Sequence, residues 1–264
     1  MPVGTTAVID LGGHTITAVD ETTVSYGLIN NRGNLTIKNG TLKLSATNDN
    51  GWARYSSVVS NNPGGNLTVN ADVTIEHLGG TAMSYGIDNL TNGKGTSAIT
   101  YINGATVKSK YIAVRQFLNG VEATNELYVN SGELDGKYTI YFQDPSKNAN
   151  TGKLVVEADA ALNSSVYLDV TEGSTEWPVE VSIAAAALKN GATVVASNVP
   201  AGYGVIVEDG VWKVVKSGVN KYVVISNADE LISLSNTLIK NGEKVFVTAD
   251  IDLEGKEFNG IYAK

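Results

Sequence analysis

A phrase of two apolar residues flanking one other residue, then a polar turn and a further apolar residue, recurs six times, and this recurrence restricts the fold more than any other feature. It reads IDLGGHTI (9–16), LTIKNGTL (35–42), LTVNADV (67–73), TYINGATV (100–107), LYVNSGEL (127–134) and LVVEADAAL (154–162). Its first positions are Ile9, Leu35, Leu67, Thr100, Leu127 and Leu154, spaced by 26, 32, 33, 27 and 27 residues; only Thr100 leaves the apolar column. Self-similarity at such a period marks a stack of supersecondary units that bury a shared core.

A second phrase precedes the first in each later unit: GLINN (27–31), VVSNN (58–62), GIDNL (86–90), AVRQF (113–117), IYFQD (140–144) and YLDV (167–170). Leu28, Val59, Ile87, Val114, Tyr141 and Leu168 align, and two positions later come Asn30, Asn61, Asn89, Gln116, Gln143 and Val170. Strand alternation has a period of two, so the five amides share the inward face of the apolar residues. A buried amide is costly unless its donors and acceptors are met, and amides stacked along an axis meet them from one another. The two columns predict an all-β parallel β-helix of about six rungs, each about 4.8 Å from the next.

The columns resemble those of right-handed, pectin-lyase-like parallel β-helix proteins, whose internal asparagine ladders look like Asn30–Gln143. The resemblance covers roughly residues 5–175 and is architectural, without an enzyme signature. Enzymes of this class bind polysaccharide on a flat sheet face. The Gly/Asn/Thr-rich coils and the GYGVIVEDGVWKVV closure also look like parts of bacterial surface proteins and of tailed-phage fibres or spikes.

Three segments are expected. Residues 1–175 form the coil, 176–217 close it, and 218–264 form a helix-strand appendage. VSIAAAALKNGATVVA (181–196) reads as a distorted last rung or as a short helix and strand. GYGVIVEDGVWKVVK (202–216) reads as a β-hairpin turning at Asp209-Gly210 and covering the open edge of the stack. Asn227 caps a helix with Glu230 at the reciprocal position, and Leu231, Leu234, Leu238 and Ile239 form its apolar stripe before a strand at Val245–Thr248. The phrase ADIDLEGKEF (249–258) repeats AVIDLGGHTIT (7–17), so the appendage resembles the cap and opening rung of a further β-helix. The chain then reads as cut out of phase from a longer tandem protein. Alternatively, the appendage covers Ile9–Leu11 of its own or a neighbouring molecule.

Inserted loops emerge at two corners. SATNDNGWARYS (45–56) and HLGGTAMS (77–84) share one; LTNGKGTSA (90–98) and FLNGVEATNE (117–126) share another. Rigid scaffolds collect binding residues on such loops.

Composition excludes several classes of function. A net charge of −8 disfavours nucleic acid or an anionic membrane as partner, since counterion release needs clustered cations. No apolar stretch is long enough to span a bilayer, and no signal peptide is evident within the chain. Without cysteine, neither a disulfide framework nor a thiolate metal site is available.

The candidate ligand-binding residues are Trp52, Arg54, Tyr55, Asp88, Arg115, Tyr101 and Tyr128. Asp88 and Arg115 fall in an outward column, Ile29, Ser60, Asp88, Arg115, Phe142 and Asp169, one rung apart. They make a surface ion pair or a polar contact for an acidic sugar. Tyr101 and Tyr128 stack on successive rungs, either to stabilise the sheet or to hold sugar rings. Trp52, Arg54 and Tyr55 lie on an inserted loop, where a tryptophan has less reason to serve sheet packing. No catalytic residues, metal site or cofactor are expected. Asp88 and Asp169 are three rungs apart, roughly 14 Å, too far for paired-carboxylate glycoside hydrolysis. His14 and His77 lie in separate rungs, and GKGTS (93–97) lacks the strand-loop-helix context of a phosphate loop.

The expectation is therefore a noncatalytic structural and recognition module of a surface adhesin or a phage fibre or spike, extracellular or on a virion. It would contact glycans or a host surface and could self-associate, for instance as a trimer. The competing expectation is a polysaccharide lyase or glycoside hydrolase acting on the β-helix face.

Overall fold

A computed structural model describes residues 1–20, 27–46, 56–79, 84–218, 222–235, 243–258 and 260–261. The chain winds into a β-solenoid of about six rungs. Each rung contributes strands to three faces, and every pairing between consecutive rungs is parallel.

The first face stacks Thr6–Asp10, Asn34–Lys38, Asn66–Asn70, the leading halves of Ser97–Ser109 and Thr124–Asp135, then Thr151–Val156 and Val179–Ala184. The second stacks Thr15–Asp20, Gly40–Ala46, Val73–His77, the trailing halves of the same two long strands, and Ala160–Leu162. The third stacks Ile29–Asn31, Ser56–Asn61, Ser84–Thr91, Ile112–Leu118, Tyr138–Asp144, Val166–Val170 and Val194–Ser197. The long strands bend where register shifts follow Ile102, and Gly132 (φ +109) is needed there because a Cβ would sit 2.2 Å from the Ala105 carbonyl oxygen.

The interior is a continuous apolar column. Leu35, Leu67, Leu127 and Leu154 stack in register with Thr100 between them, and Ile87, Val114, Ile140 and Val166 do the same on the third face. Val179–Ala184 and Val194–Ser197 add a distorted rung in which a single 3-10 turn, Ala185–Ala187, occupies the second-face position.

The closure is the expected hairpin. Tyr203–Glu208 and Val211–Lys216 pair antiparallel around Asp209 (φ +51) and Gly210 (φ +74), both left-handed as a tight hairpin turn requires. Trp212 and Val211 pair antiparallel with Ile183 and Ala184, so the hairpin covers the first-face edge at the last rung.

The appendage packs on this hairpin, at the end of the stack opposite Ile9–Leu11. Within the chain, then, it does not cover the first rung. Tyr222–Ile225 and Lys244–Val247 pair in parallel, joined through the helix Ala228–Ser235. Val224 packs with Ile206 and Val215 in a second small core, flanked by Tyr222 and Phe246. Asn227 Oδ1 accepts the Glu230 amide (3.0 Å), as expected of an N-cap. The Glu230 carboxylate returns not to Asn227 but to Ser226, accepting from its amide (2.7 Å) and hydroxyl (2.9 Å). Leu238 and Ile239 lie outside the described residues.

Candidate functional site

The inner amide column holds the third face to the corner where the first begins. Asn31 donates to Asn61 Oδ1 (2.8 Å), Asn61 to Asn89 Oδ1 (2.9 Å), and Asn89 to Asn125 Oδ1 (2.6 Å). Gln116 continues the column, its Nε2 reaching the carbonyls of Asn125 and Lys153, both at 2.9 Å. Two expected members are corrected by the register. Asn31, not Asn30, pairs with Asn61; Asn30 is exposed and donates only to the Gly27 carbonyl among the described residues (3.2 Å). Phe142, not Gln143, follows Gln116, and Gln143 stands beside Phe117 on the outer side. The apolar bulk of Phe142 ends the ladder, and Gln116 Oε1 is buried without a partner among the described residues.

Two residues outside the expected ladder complete it. Asn125 comes from the neighbouring face. Thr100, the break in the apolar column, accepts from Asn61 Nδ2 (3.1 Å) and donates to Asn89 Oδ1 (2.9 Å). Thr100 therefore departs from the column because it serves the amides. Gly65 lies so close to Asn61 that a Cβ would stand 2.1 Å from Asn61 Oδ1.

Outside the third face, Asp88 and Arg115 pair side by side, as the columns imply. They are not a surface pair. Arg115 Nε and Nη2 bind Asp88 Oδ1 and Oδ2 at 2.8 and 2.7 Å, and both residues are buried. The guanidinium carbon stands 4.3 Å from the Tyr85 ring centroid and 4.5 Å from that of Phe117. These two charges are committed to each other in a dry setting, which leaves an incoming sugar little to engage.

One rung on, the outer column passes to Tyr141 and Tyr167, displacing the expected Phe142, which is fully buried. Tyr141 and Tyr167 stack with centroids 5.2 Å apart at 22°, and Tyr138 adjoins both. Tyr111 meets Tyr138 edge-on at 6.0 Å, with the Lys137 ammonium over both rings. Asp169 accepts from the Tyr141 hydroxyl (3.0 Å) and the Ser197 hydroxyl (2.7 Å). Burial, reinforced by Asp169, pushes the Tyr141 phenol up, so it stays a protonated donor. The spacing of the amide column hides Tyr141 and Tyr167, because it sets the rung at 138–144 one residue out of phase. Aligning Ile140 with Val114 and Val166 with Ile140 places Tyr141 and Tyr167 in one outward column.

On the first face Tyr101 and Tyr128 stand in register, as expected, with ring centroids 4.9 Å apart and 9° between planes. The Tyr128 hydroxyl donates to Glu126 (2.8 Å), and burial together with that carboxylate raises the phenol to about 12. Trp52, Arg54 and Tyr55 lie outside the described residues. Among the described residues no helix is long and apolar enough to cross a membrane, and no cluster of three or more His, Asp or Glu could hold a metal ion.

No protein-family model, curated protein or solved structure matches the chain.

Proposed function

We propose that the chain is a noncatalytic recognition module of an extracellular adhesin or a phage fibre or spike, a pectin-lyase-like β-helix whose tyrosine rows hold glycans of a host or cell surface. The observation that supports this is the paired presentation of half-buried tyrosine rings on two outer faces, Tyr101–Tyr128 and Tyr141–Tyr167, at the spacing of consecutive rungs. Such rings offer flat apolar area with a polar rim and lose little side-chain freedom on binding. The neighbouring Asp169 and Glu126 carboxylates are already oriented by tyrosine hydroxyls, and Gln143 lies beside Asp169 in register. A carboxylate therefore flanks each ring pair, and the Gln143 amide adds a donor at the second, an arrangement suited to sugar hydroxyls.

A glycan array probed with the whole chain tests the reading. Binding to a defined glycan class is expected, and Tyr141→Ala with Tyr167→Ala, or Tyr101→Ala with Tyr128→Ala, should abolish it. Failure to bind any glycan, or binding unaffected by both double variants, would overturn it.

A further inference from the structure

The corner where the third face passes to the first carries a cleft at its later rungs. The loop after Tyr138–Asp144 and the loop after Val166–Val170 enclose a cavity of about 440 Å³ lined by Asp144, Lys147, Asn148, Glu176, Trp177 and Pro178 among others. That volume lies within the range of small-ligand sites. The two loops are the counterparts, further along the stack, of 90–98 and 117–126.

The floor is rigid. Asp144 is 2% exposed, and its Oδ1 accepts from the Ser146 amide (2.9 Å) and hydroxyl (2.8 Å). Asn150 donates to the Ser146 hydroxyl (2.8 Å) and accepts the Ala123 amide (3.0 Å), tying the loop to the preceding rung. Thr171 returns its amide (3.0 Å) and hydroxyl (2.9 Å) to the Asp144 carbonyl, tying it to the following one. The wall is Trp177, half-buried and packed on the core, with Pro178 beside it. Its buried indole Nε1 meets no acceptor among the described residues.

The rim is mixed in charge. Glu176 is exposed and binds Lys216 (2.8 Å) and the Tyr203 hydroxyl, which orient its carboxylate from the closing hairpin. Lys147 reaches across to the facing loop, where a Cβ on Gly173 would lie 3.1 Å from its ammonium. It makes no ion pair among the described residues.

We propose that this cleft binds one neutral saccharide residue, its ring face against Trp177 and its hydroxyls shared between the Glu176 carboxylate and the Lys147 ammonium, above the floor that Asp144 braces. Glu176 is already paired with Lys216, and Lys147 balances Asp144 in the lining, so the cleft carries no net charge for an ionic ligand. A neutral polyol uses donors and acceptors together, and an aromatic-proline wall suits its apolar face. The inference rests on reading the chain as a glycan-recognition module, and it adds a subsite separate from the tyrosine rows.

The chain has three tryptophans, so its indole N–H signals can be followed singly by nitrogen-15 NMR on the whole chain, with Trp177→Phe assigning one of them. The probes are the methyl glycosides of glucose, galactose and mannose, N-acetylglucosamine, and galacturonate as the anionic comparison. At least one neutral sugar should move the Trp177 signal saturably, with a Kd on the order of 1 mM, while galacturonate does not. Glu176→Gln and Lys147→Ala, both at exposed positions, should each weaken that response by about tenfold. A Trp177 signal that no neutral sugar moves, an equal response to galacturonate, or indifference to both rim variants would overturn the proposal. Array binding that is lost in the tyrosine variants while Trp177 stays unmoved would remove the cleft and keep the tyrosine reading. The reverse pattern would remove the tyrosine reading alone.

Discussion

Arg115 and Asp88 bind one another through two hydrogen bonds of 2.8 and 2.7 Å on the outer side of a sheet, yet they are only 5% and 3% exposed. A pair this dry differs from an exposed one. Its members have lost their hydration, and removal of one strands the other as an uncompensated charge.

Arg115→Met should therefore destabilise the chain by about 3–5 kcal/mol, and Asp88→Leu by a similar amount. The double substitution should recover most of the loss, because it removes both charges and leaves apolar bulk between Tyr85 and Phe117. Urea unfolding midpoints of the three variants measure the coupling. A double variant as unstable as the sum of the singles would show that the pair has no energetic unity.

The ladder register makes a prediction within a single dipeptide. Asn31 donates inside the ladder, whereas Asn30 is exposed and donates to Gly27 alone among the described residues. Asn31→Ala should cost about 1–3 kcal/mol by stranding buried partners, and Asn30→Ala within about 0.5 kcal/mol. Asn89→Ala, at a site that receives Asn61 and Thr100 and donates to Asn125 and Glu126, should cost most of the three. Equal effects at 30 and 31 in thermal melts would contradict the register.

His77 predicts a pH dependence. It is 1% exposed, accepts the Gly79 amide at Nδ1 (2.9 Å), and burial pushes it down to about 4 from its ordinary 6.5. The unfolded chain thus takes up the proton at a higher pH than the folded one. Stability is full above about 6.5, falls as pH drops towards 4, and levels below that. The loss should approach about 3 kcal/mol. Denaturant midpoints at pH 7.5 and 4.5 measure it, and His77→Leu should remove most of the difference between them.

Glu208 joins the closing hairpin to the appendage. Its carboxylate accepts from Lys213 (3.1 Å), the Tyr222 hydroxyl and the Lys244 ammonium, and these contacts, Lys244 foremost, hold it down at about 2. Glu208→Gln should speed amide exchange in 222–225 and 244–247 and leave protection in the third-face strands unchanged. Unaltered exchange in the appendage would show that Val224 against Gly204 and Ile206 suffices to hold it.

Much of the architecture was legible because a stacked fold writes itself repeatedly. Each rung repeats the same inward positions, so the first-face column from Leu35 to Leu154 and the ladder members Asn61, Asn89 and Gln116 emerged from spacing alone, and Asp209-Gly210 marked its hairpin by local chemistry. The two Ile-Asp-Leu phrases share a turn, although only the first of them ends a strand, Thr6–Asp10. Asp10 Oδ1 accepts the Gly12 amide (3.0 Å) and Asp252 Oδ1 the Glu254 amide (2.9 Å), each followed by two left-handed residues. The turns close alike, His14 donating to the Leu11 carbonyl and Lys256 to that of Leu253, both at 2.8 Å. Such turns are set within five residues, and so a local phrase suffices to specify them.

The sequence by itself determined the period, the inward column of the first face and the turns, since each depends on residues near one another or on a repeated step. Which of two adjacent residues enters the ladder was decided only by the tertiary structure. A one-residue slip exchanges every side chain between the faces of a strand, and Asn30-Asn31 offers an amide at both settings. At 141–143 Phe142 settled the choice by burying its ring, which turned Tyr141 outward beside Tyr167 and created the aromatic face. The same holds for Asp88 and Arg115: adjacency across rungs follows from the repeat, but their burial depends on what the folded chain lays over that face.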